Sequence, residues 1–429
     1  MNKVTSIIEK YKNDLHLAEL FKGGGISFLL KIVGLALGYI FSIVVARTLG
    51  AESWGIYSIC LAIVTISSIF ARFGFDTTIL RLNAEYKATN KEQYLISLSK
   101  FVFKISFLIS LFISLIVFLF ASFISAQIFG KPELTESVRL ISLAIIPFSL
   151  SLIVSSALKG LKKITKAVFI EYVSKFALML FLFLMWIFFF DLTIFSIVYI
   201  IVIASWLMFI ISGYWYWRVI NSSNFSTETT IDWKPIFKIA MPLIMASSVF
   251  YIKGWIDTIS IGIFMTEKDV GIYNIAYKLA HLTLIPLLTI NSIASPKFAE
   301  NIKNKIELKV ILRKAVKLIS LFSFPILISL ILFPKLLLGV FGNEFIEAEI
   351  ILIIIAIAAF INSVFGSFGY LLQMTGRHIE FQNSIIILVL AASILNYFFI
   401  PSWGLMGAAI STLVVNLLWN TSIIIYNFI

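Results

Sequence analysis

Apolar runs of about 20 residues recur along the whole chain, and this removes most folds from consideration. Each run is long enough to cross a hydrocarbon core of roughly 30 Å as a helix. In that medium every backbone N–H and C=O must be paired internally, which leaves helices or a closed barrel. The runs are continuous and do not alternate, so helices are predicted and a barrel is excluded. Composition agrees: 60% of residues are hydrophobic, 13% are charged and the mean hydropathy is +1.02, whereas soluble domains carry about 25% charged residues. A formal charge of +12 would suggest a nucleic-acid partner in a soluble protein. In a membrane protein the position of the charge matters more, and no nucleic-acid role is expected.

About twelve spans are predicted: 26–46, 55–76, 101–124, 138–158, 168–190, 194–215, 239–264, 271–293, 314–333, 349–372, 382–400 and 405–427. The segments between them alternate in charge. Lys159, Lys162, Lys163 and Lys166 crowd one loop, Lys297 to Lys317 another, and Arg81, Lys87, Lys91 and Lys100 a third. Lys3, Lys10, Lys12 and Lys22 precede the first span, while the intervening loops are bare or acidic, with Glu52, Asp191, Glu267, Glu344 and Glu347. By the positive-inside rule the basic set faces the cytoplasm, which puts both termini there. Basic clusters on that face also suit an anionic lipid surface. Residues 1–22 hold Lys3, Glu9, Lys10, Lys12, Asp14 and Glu19 and no apolar core, so no cleavable signal is expected.

The chain repeats itself with a fixed offset. Phe21-Lys22 returns as Phe237-Lys238, Gly55-Ile56-Tyr57 as Gly271-Ile272-Tyr273, and Gly160 as Gly376, each 216 residues later. Six spans fit in that offset, so each half enters and leaves on the same side. The expected fold is all-α and polytopic: a six-helix bundle from 1–215 and another from 216–429, related by a pseudo-two-fold along the membrane normal. A polar stretch around 214–238, with Arg218, Asn221, Asn224 and Asp232, joins them.

A charge at membrane depth costs roughly 2.5–3.5 kcal/mol even on insertion scales, so each one needs an account. Lys253 and Asp257 stand at i, i+4 in the seventh span, Lys278 and His281 at i, i+3 in the eighth, and Lys31 lies within the first. These five are expected to face a polar cavity, with a self-neutralising Lys253–Asp257 pair as the alternative. Arg72 and Asp76, also i, i+4, lie near the cytoplasmic end of the second span, and Glu171 and Lys175 are close enough to that side to snorkel. The set is mainly basic, which suits an anionic cargo held by Lys31, Lys253, Lys278 and Arg72. Asp257, Asp76 and His281 are the candidates to bind or release a coupling cation. No P-loop segment is present, so ATP is not expected to be bound that way. His16, His281 and His378 are scattered and form no metal constellation. The lone Cys60 sits in an apolar run. No cofactor, no metal and no enzymatic activity are expected.

Ala46-Arg47-Thr48-Leu49-Gly50-Ala51-Glu52-Ser53-Trp54-Gly55-Ile56-Tyr57, and then Phe73-Gly74-Phe75-Asp76 with Leu80-Arg81, resemble the opening segments of the polysaccharide-biosynthesis flippases. Ala240-Met241-Pro242-Leu243, Trp255-Ile256-Asp257 and Val270 to Leu279 resemble the same family's second half. These are the O-antigen flippases of the multidrug, oligosaccharidyl-lipid and polysaccharide (MOP) exporter superfamily. The resemblance implies a carrier in the bacterial cytoplasmic (inner) membrane that moves undecaprenyl-pyrophosphate-linked oligosaccharide to the periplasmic leaflet by alternating access. It also implies coupling to a proton or sodium gradient, a cationic lumen, and contact with membrane lipids; whether a polysaccharide polymerase works beside it stays open. Two other readings are a drug or metabolite antiporter of the same fold, and a membrane-embedded glycan polymerase or ligase. A basic cavity argues against the first and short outer loops against the second.

Overall fold

The computed structural model describes residues 15–89, 91, 93–221, 232–302 and 304–428, without the side chains of 15–24, 245–247, 250, 378 and 427–428. Lys3, Lys10 and Lys12, the side chains of His16, Lys22 and His378, and Asn224 of the polar stretch lie outside the described residues. All regular structure among the described residues is helical. The principal helices are α1 Leu15–Arg72, α2 Phe75–Ala88, α3 Tyr94–Leu119, α4 Thr135–Ser142, α5 Ile145–Gly160 and α6 Ile164–Phe189. There follow α7 Ser196–Asn221, α8 Trp233–Phe264, α9 Glu267–Glu300, α10 Lys305–Leu332, α11 Glu349–Met374 and α12 His378–Phe428.

Among the described residues eight helices are long and apolar enough to cross a membrane, or nine if α4 and α5, bent by 44°, form one span. Two of the eight, Gly25–Arg72 and Ile379–Tyr426, are 48 residues long. At 1.5 Å per residue each measures roughly 70 Å, more than twice the hydrocarbon thickness. Neither is straight. Gly50 (φ 78°, ψ −178°) breaks α1 and Gly404 (φ 58°, ψ −139°) breaks α12. These are conformations that a side chain at Cβ opposes. The predicted span 55–76 also ends early, because Phe73 (φ 50°) and Gly74 (φ 75°) turn left-handed and close α1 at Arg72. A Cβ on Gly74 would run into the Ala240 carbonyl, so the chain there must be bare.

The surface is inverted relative to a soluble protein. Phe188 is 76% exposed, and Phe112, Leu119 and Phe189 stand out beside it, whereas Ser42, Ser106, Ser110, Ser149 and Ser212 are buried. Small hydroxyl residues let membrane helices approach closely while the hydroxyl bonds its own helix. Ser99 donates to Leu95 O, Ser149 to Ile145 O and Ser205 to Ile201 O.

Two compact units are discontinuous in sequence: 1–42, 64–122 and 135–245 form the first, and 43–63, 123–134 and 246–429 the second. The first is built on α2, α3, α5 and α7, with Phe75, Ile79, Leu98, Ile153 and Leu158 in its core. Asn83 donates to Ala157 O and Tyr216 bonds Ser99. In the second unit α11 and α12 pack through Leu372, Leu388, Val415, Trp419 and Ile423. There, too, the restart of α1 after Gly50 meets the start of α9. A Cβ on Gly55 would strike the Glu267 carbonyl, and one on Gly271 would strike the Ala51 carbonyl. Each would also come within 3.1 Å of the other glycine's nitrogen. Gly55 and Gly271 are the repeat copies of one another, so the contact is reciprocal.

Candidate functional site

Asp257 lies in α8 at membrane depth, where an unmet carboxylate charge is strongly disfavoured. Three neutral donors meet it. Asn396 Nδ2 donates to Oδ1 at 2.8 Å, Thr412 Oγ1 to Oδ2 at 2.8 Å, and Tyr273 OH to Oδ2 at 3.2 Å. The Tyr273 and Thr412 hydroxyl oxygens are 2.8 Å apart, and Asn396 Nδ2 also reaches Ser260 Oγ at 3.4 Å.

Two helix breaks assemble this cluster. Asn396 and Thr412 are 16 residues apart, which on a straight helix separates them by roughly 24 Å. The break at Gly404 lies midway and folds α12 back, so both reach one carboxylate. Asp257 and Tyr273 are also 16 apart. Between them the chain leaves α8 at Phe264 and restarts at Glu267 with a capping box, in which Thr266 accepts from Asp269 N and Asp269 accepts from Thr266 N. That box supplies partners to orphan N–H groups of the first turn and fixes the turn-back.

Beside the carboxylate is a cavity of about 80 Å3, walled by Lys253 and Asp257 of α8, Tyr277 and His281 of α9, Asn362 of α11 and Asn416 of α12. It holds on the order of half a dozen waters or a small ion, well below the roughly 300 Å3 of the smallest usual organic-ligand pockets. The Lys253 ammonium lies over the Trp419 ring, 4.6 Å from its centroid, and not within ion-pair distance of Asp257. His281 stacks on Tyr277 (centroids 3.8 Å apart), with Nδ1 2.9 Å from the Tyr277 carbonyl. Asn396 Oδ1 is buried and has no hydrogen-bond partner among the described residues. The oxygens gathered here, from Asp257, Asn396, Thr412 and Tyr273, are the hard donors that an alkali or similar cation takes.

Lys253, Asp257 and His281 are thus brought together, and Lys278 and Lys31 are not among the cavity's walls. The helix tightens to a 3-10 turn at His281–Leu284. His281 faces the cavity, while Lys278, three residues earlier, puts its ammonium 5.7 Å from the Trp54 ring. Lys31 belongs to the first unit, exposed, its ammonium 5.4 Å from the Tyr172 ring. Arg72 and Asp76 belong there too and flank the left-handed break, not one helix as predicted. They still pair, Nη1 to Oδ2 at 2.5 Å, and Arg72 Nε donates to Ser68 O at 3.1 Å. Glu171 pairs with Lys159, and Lys175 rests over Phe148 and Phe176. Sequence reasoning missed Asn396, Thr412, Asn362 and Asn416. The signal was present: Thr412, Asn416 and Asn420 recur every fourth residue in an apolar span, a polar stripe on one helix face.

The helices carry the fold of the MOP transporters. A structure of the lipid II flippase MurJ, inward closed, superposes with a TM-score of 0.76 at 16% identity, over 95% of this chain and 88% of that one. An inward-facing multidrug resistance MATE family transporter matches with the same score at 14% identity, over 93% and 97%. A model of the polysaccharide biosynthesis protein family matches residues 44–350, well over half of the chain, and the chain belongs to that family. Its relatives include the probable low-salt glycan biosynthesis flippase Agl15 of Haloferax volcanii, 29% identical over 42% of this chain and 40% of the relative. The teichuronic acid biosynthesis protein TuaB of Bacillus subtilis is 37% identical over 28% and 26%, and the capsular polysaccharide biosynthesis protein CapF of Staphylococcus aureus 27% identical over 49% and 54%. The chain thus spans less than two thirds of the length of each of these curated relatives. The family resemblance read from the motifs at 46–57, 73–81, 240–243 and 255–279 is thereby confirmed.

Proposed function

We propose that this protein is a flippase that carries a polyprenyl-pyrophosphate-linked oligosaccharide, such as an undecaprenyl-linked repeat unit, from the cytoplasmic to the outer leaflet. The carrying observation is the Asp257 cluster. The one carboxylate of the cavity wall, held at membrane depth by three neutral donors beside an amide oxygen with no hydrogen-bond partner among the described residues, is a place to bind and release a cation. Coupling to a proton or sodium gradient follows, with His281 on the facing wall as a second proton acceptor. The cargo class rests on the family and on the relatives' roles in surface-glycan synthesis.

In this reading the halves 1–215 and 216–429 form two six-helix bundles related by a pseudo-two-fold along the membrane normal. Twelve crossings result when α1 and α12 each count twice, α4 and α5 count together, and α8 is included. The reciprocal Gly55–Gly271 contact supports the axis, because repeat copies meet only where a two-fold passes. Lys31 in the first unit and Lys278 in the second are, each by itself, ammonium groups suited to an anionic head group. Arg72 and Asp76 neutralise one another and serve as a structural pair at the break. Lys253 sits in a cavity too small for a glycosylated pyrophosphate.

The test uses proteoliposomes with a labelled polyprenyl-pyrophosphate oligosaccharide, following loss of label accessibility in one leaflet under imposed sodium or proton gradients. Gradient-driven movement should vanish in Asp257→Asn and fall at least tenfold in Lys278→Glu, with insertion retained. Drug efflux without glycan movement would instead favour the antiporter reading.

A further inference from the structure

We infer that Lys253 is a tethered cation that competes with the coupling cation for the Asp257 carboxylate. This rests on the reading of Asp257 as the coupling site. Lys253 and Asp257 stand one turn apart on α8, where side chains at i, i+4 have Cβ atoms about 5–6 Å apart. A flexible four-carbon stem therefore lets one ammonium reach either of two posts. One post is the Trp419 ring, where it lies at 4.6 Å; the other is the carboxylate, which lines the cavity together with Lys253 itself.

The polar groups facing the pair include Tyr273, Tyr277 and His281 of α9, Asn362 of α11, and Asn396, Thr412 and Asn416 of α12. Asp257 is the sole carboxylate among these walls. With a cation on Asp257, the ammonium is repelled to the Trp419 ring, whose face accepts a positive charge without neutralising it. When the cation leaves, the ammonium swings to the carboxylate and the pair remains neutral. Lys253 thereby weakens cation binding so that release stays fast, and an internal charge replaces the departing one during the return step.

The lysine's presence should lower cation affinity, a direction opposite to that of a residue needed for structure. Full-length protein in nanodiscs would be titrated with radioactive sodium at fixed pH and ionic strength, read by scintillation proximity. Lys253→Met is expected to bind sodium at least tenfold tighter than the native protein, Lys253→Arg within threefold of it, and Asp257→Asn not at all. Lys253→Gln stands in if the Met variant fails to fold. Equal or weaker binding in Lys253→Met, while Asp257→Asn loses binding, overturns the competition and leaves the coupling site standing. Native-like binding in Asp257→Asn overturns the coupling site and this inference together. Sodium binding by none of the variants overturns the competition as stated.

Discussion

Asp257 is tolerated in the membrane because its charge is met by an amide and two hydroxyls supplied from α9 and α12. Thr412→Val keeps the shape and removes one donor, and Asn396→Ala removes another. Each should weaken the cation dependence of transport about tenfold or more, as loss of a supporting partner around a bound ion does, checked by the cation concentration giving half-maximal flipping. Asp257 was legible in the sequence because a carboxylate in an apolar run stands out. Asn396 and Thr412 were not, since they are neutral and lie 139 and 155 residues away. A largely buried ion pair, Lys131 Nζ to Glu267 Oε1 at 3.5 Å, joins the turn after α3 to the start of α9. Burial lowers the Lys131 amine from its usual range while Glu267 pulls it back up. Glu267→Gln alone should destabilise the protein by about 3–5 kcal/mol, whereas replacing both by Met and Leu should recover much of that, measured by thermal unfolding in detergent.

At the scale of elements, single residues replace loops. The sequence reading left 47–54 as a connection between two spans, yet the helix runs to Leu49 and restarts at Ala51, with Gly50 alone making the turn. Propensity and hydropathy mark where a span ends but not how abruptly the chain turns, because that depends on one residue's access to positive φ. Gly50 carries φ 78° and ψ −178°, a region almost closed to other residues, and a Cβ there would also approach the Glu344 carboxylate at 3.5 Å. Gly50→Ala should therefore lose about 1–3 kcal/mol, seen as a lower melting temperature. The tightening to a 3-10 turn at His281–Leu284 was equally invisible, because nothing in the residue types there departs from an α-helical run.

For the whole molecule, the class of fold was legible because hydropathy acts on every residue, and the family because its motifs keep their order along the chain. Membrane sidedness is carried by charge alone. Cysteines at Lys163 and Lys314, both exposed, should react with a membrane-impermeant maleimide only from the cytoplasmic side, and cysteines at Glu133 and Glu347 only from outside. The native chain offers little background, as its single thiol, Cys60, is 1% exposed. The Gly55–Gly271 contact has a further consequence for how the sequence tolerates change. Each glycine faces the backbone of the other's turn, so any added side chain meets the same obstacle from either side. A saturation scan should return matching, uniformly intolerant profiles at the two positions, as though one site had been sampled twice.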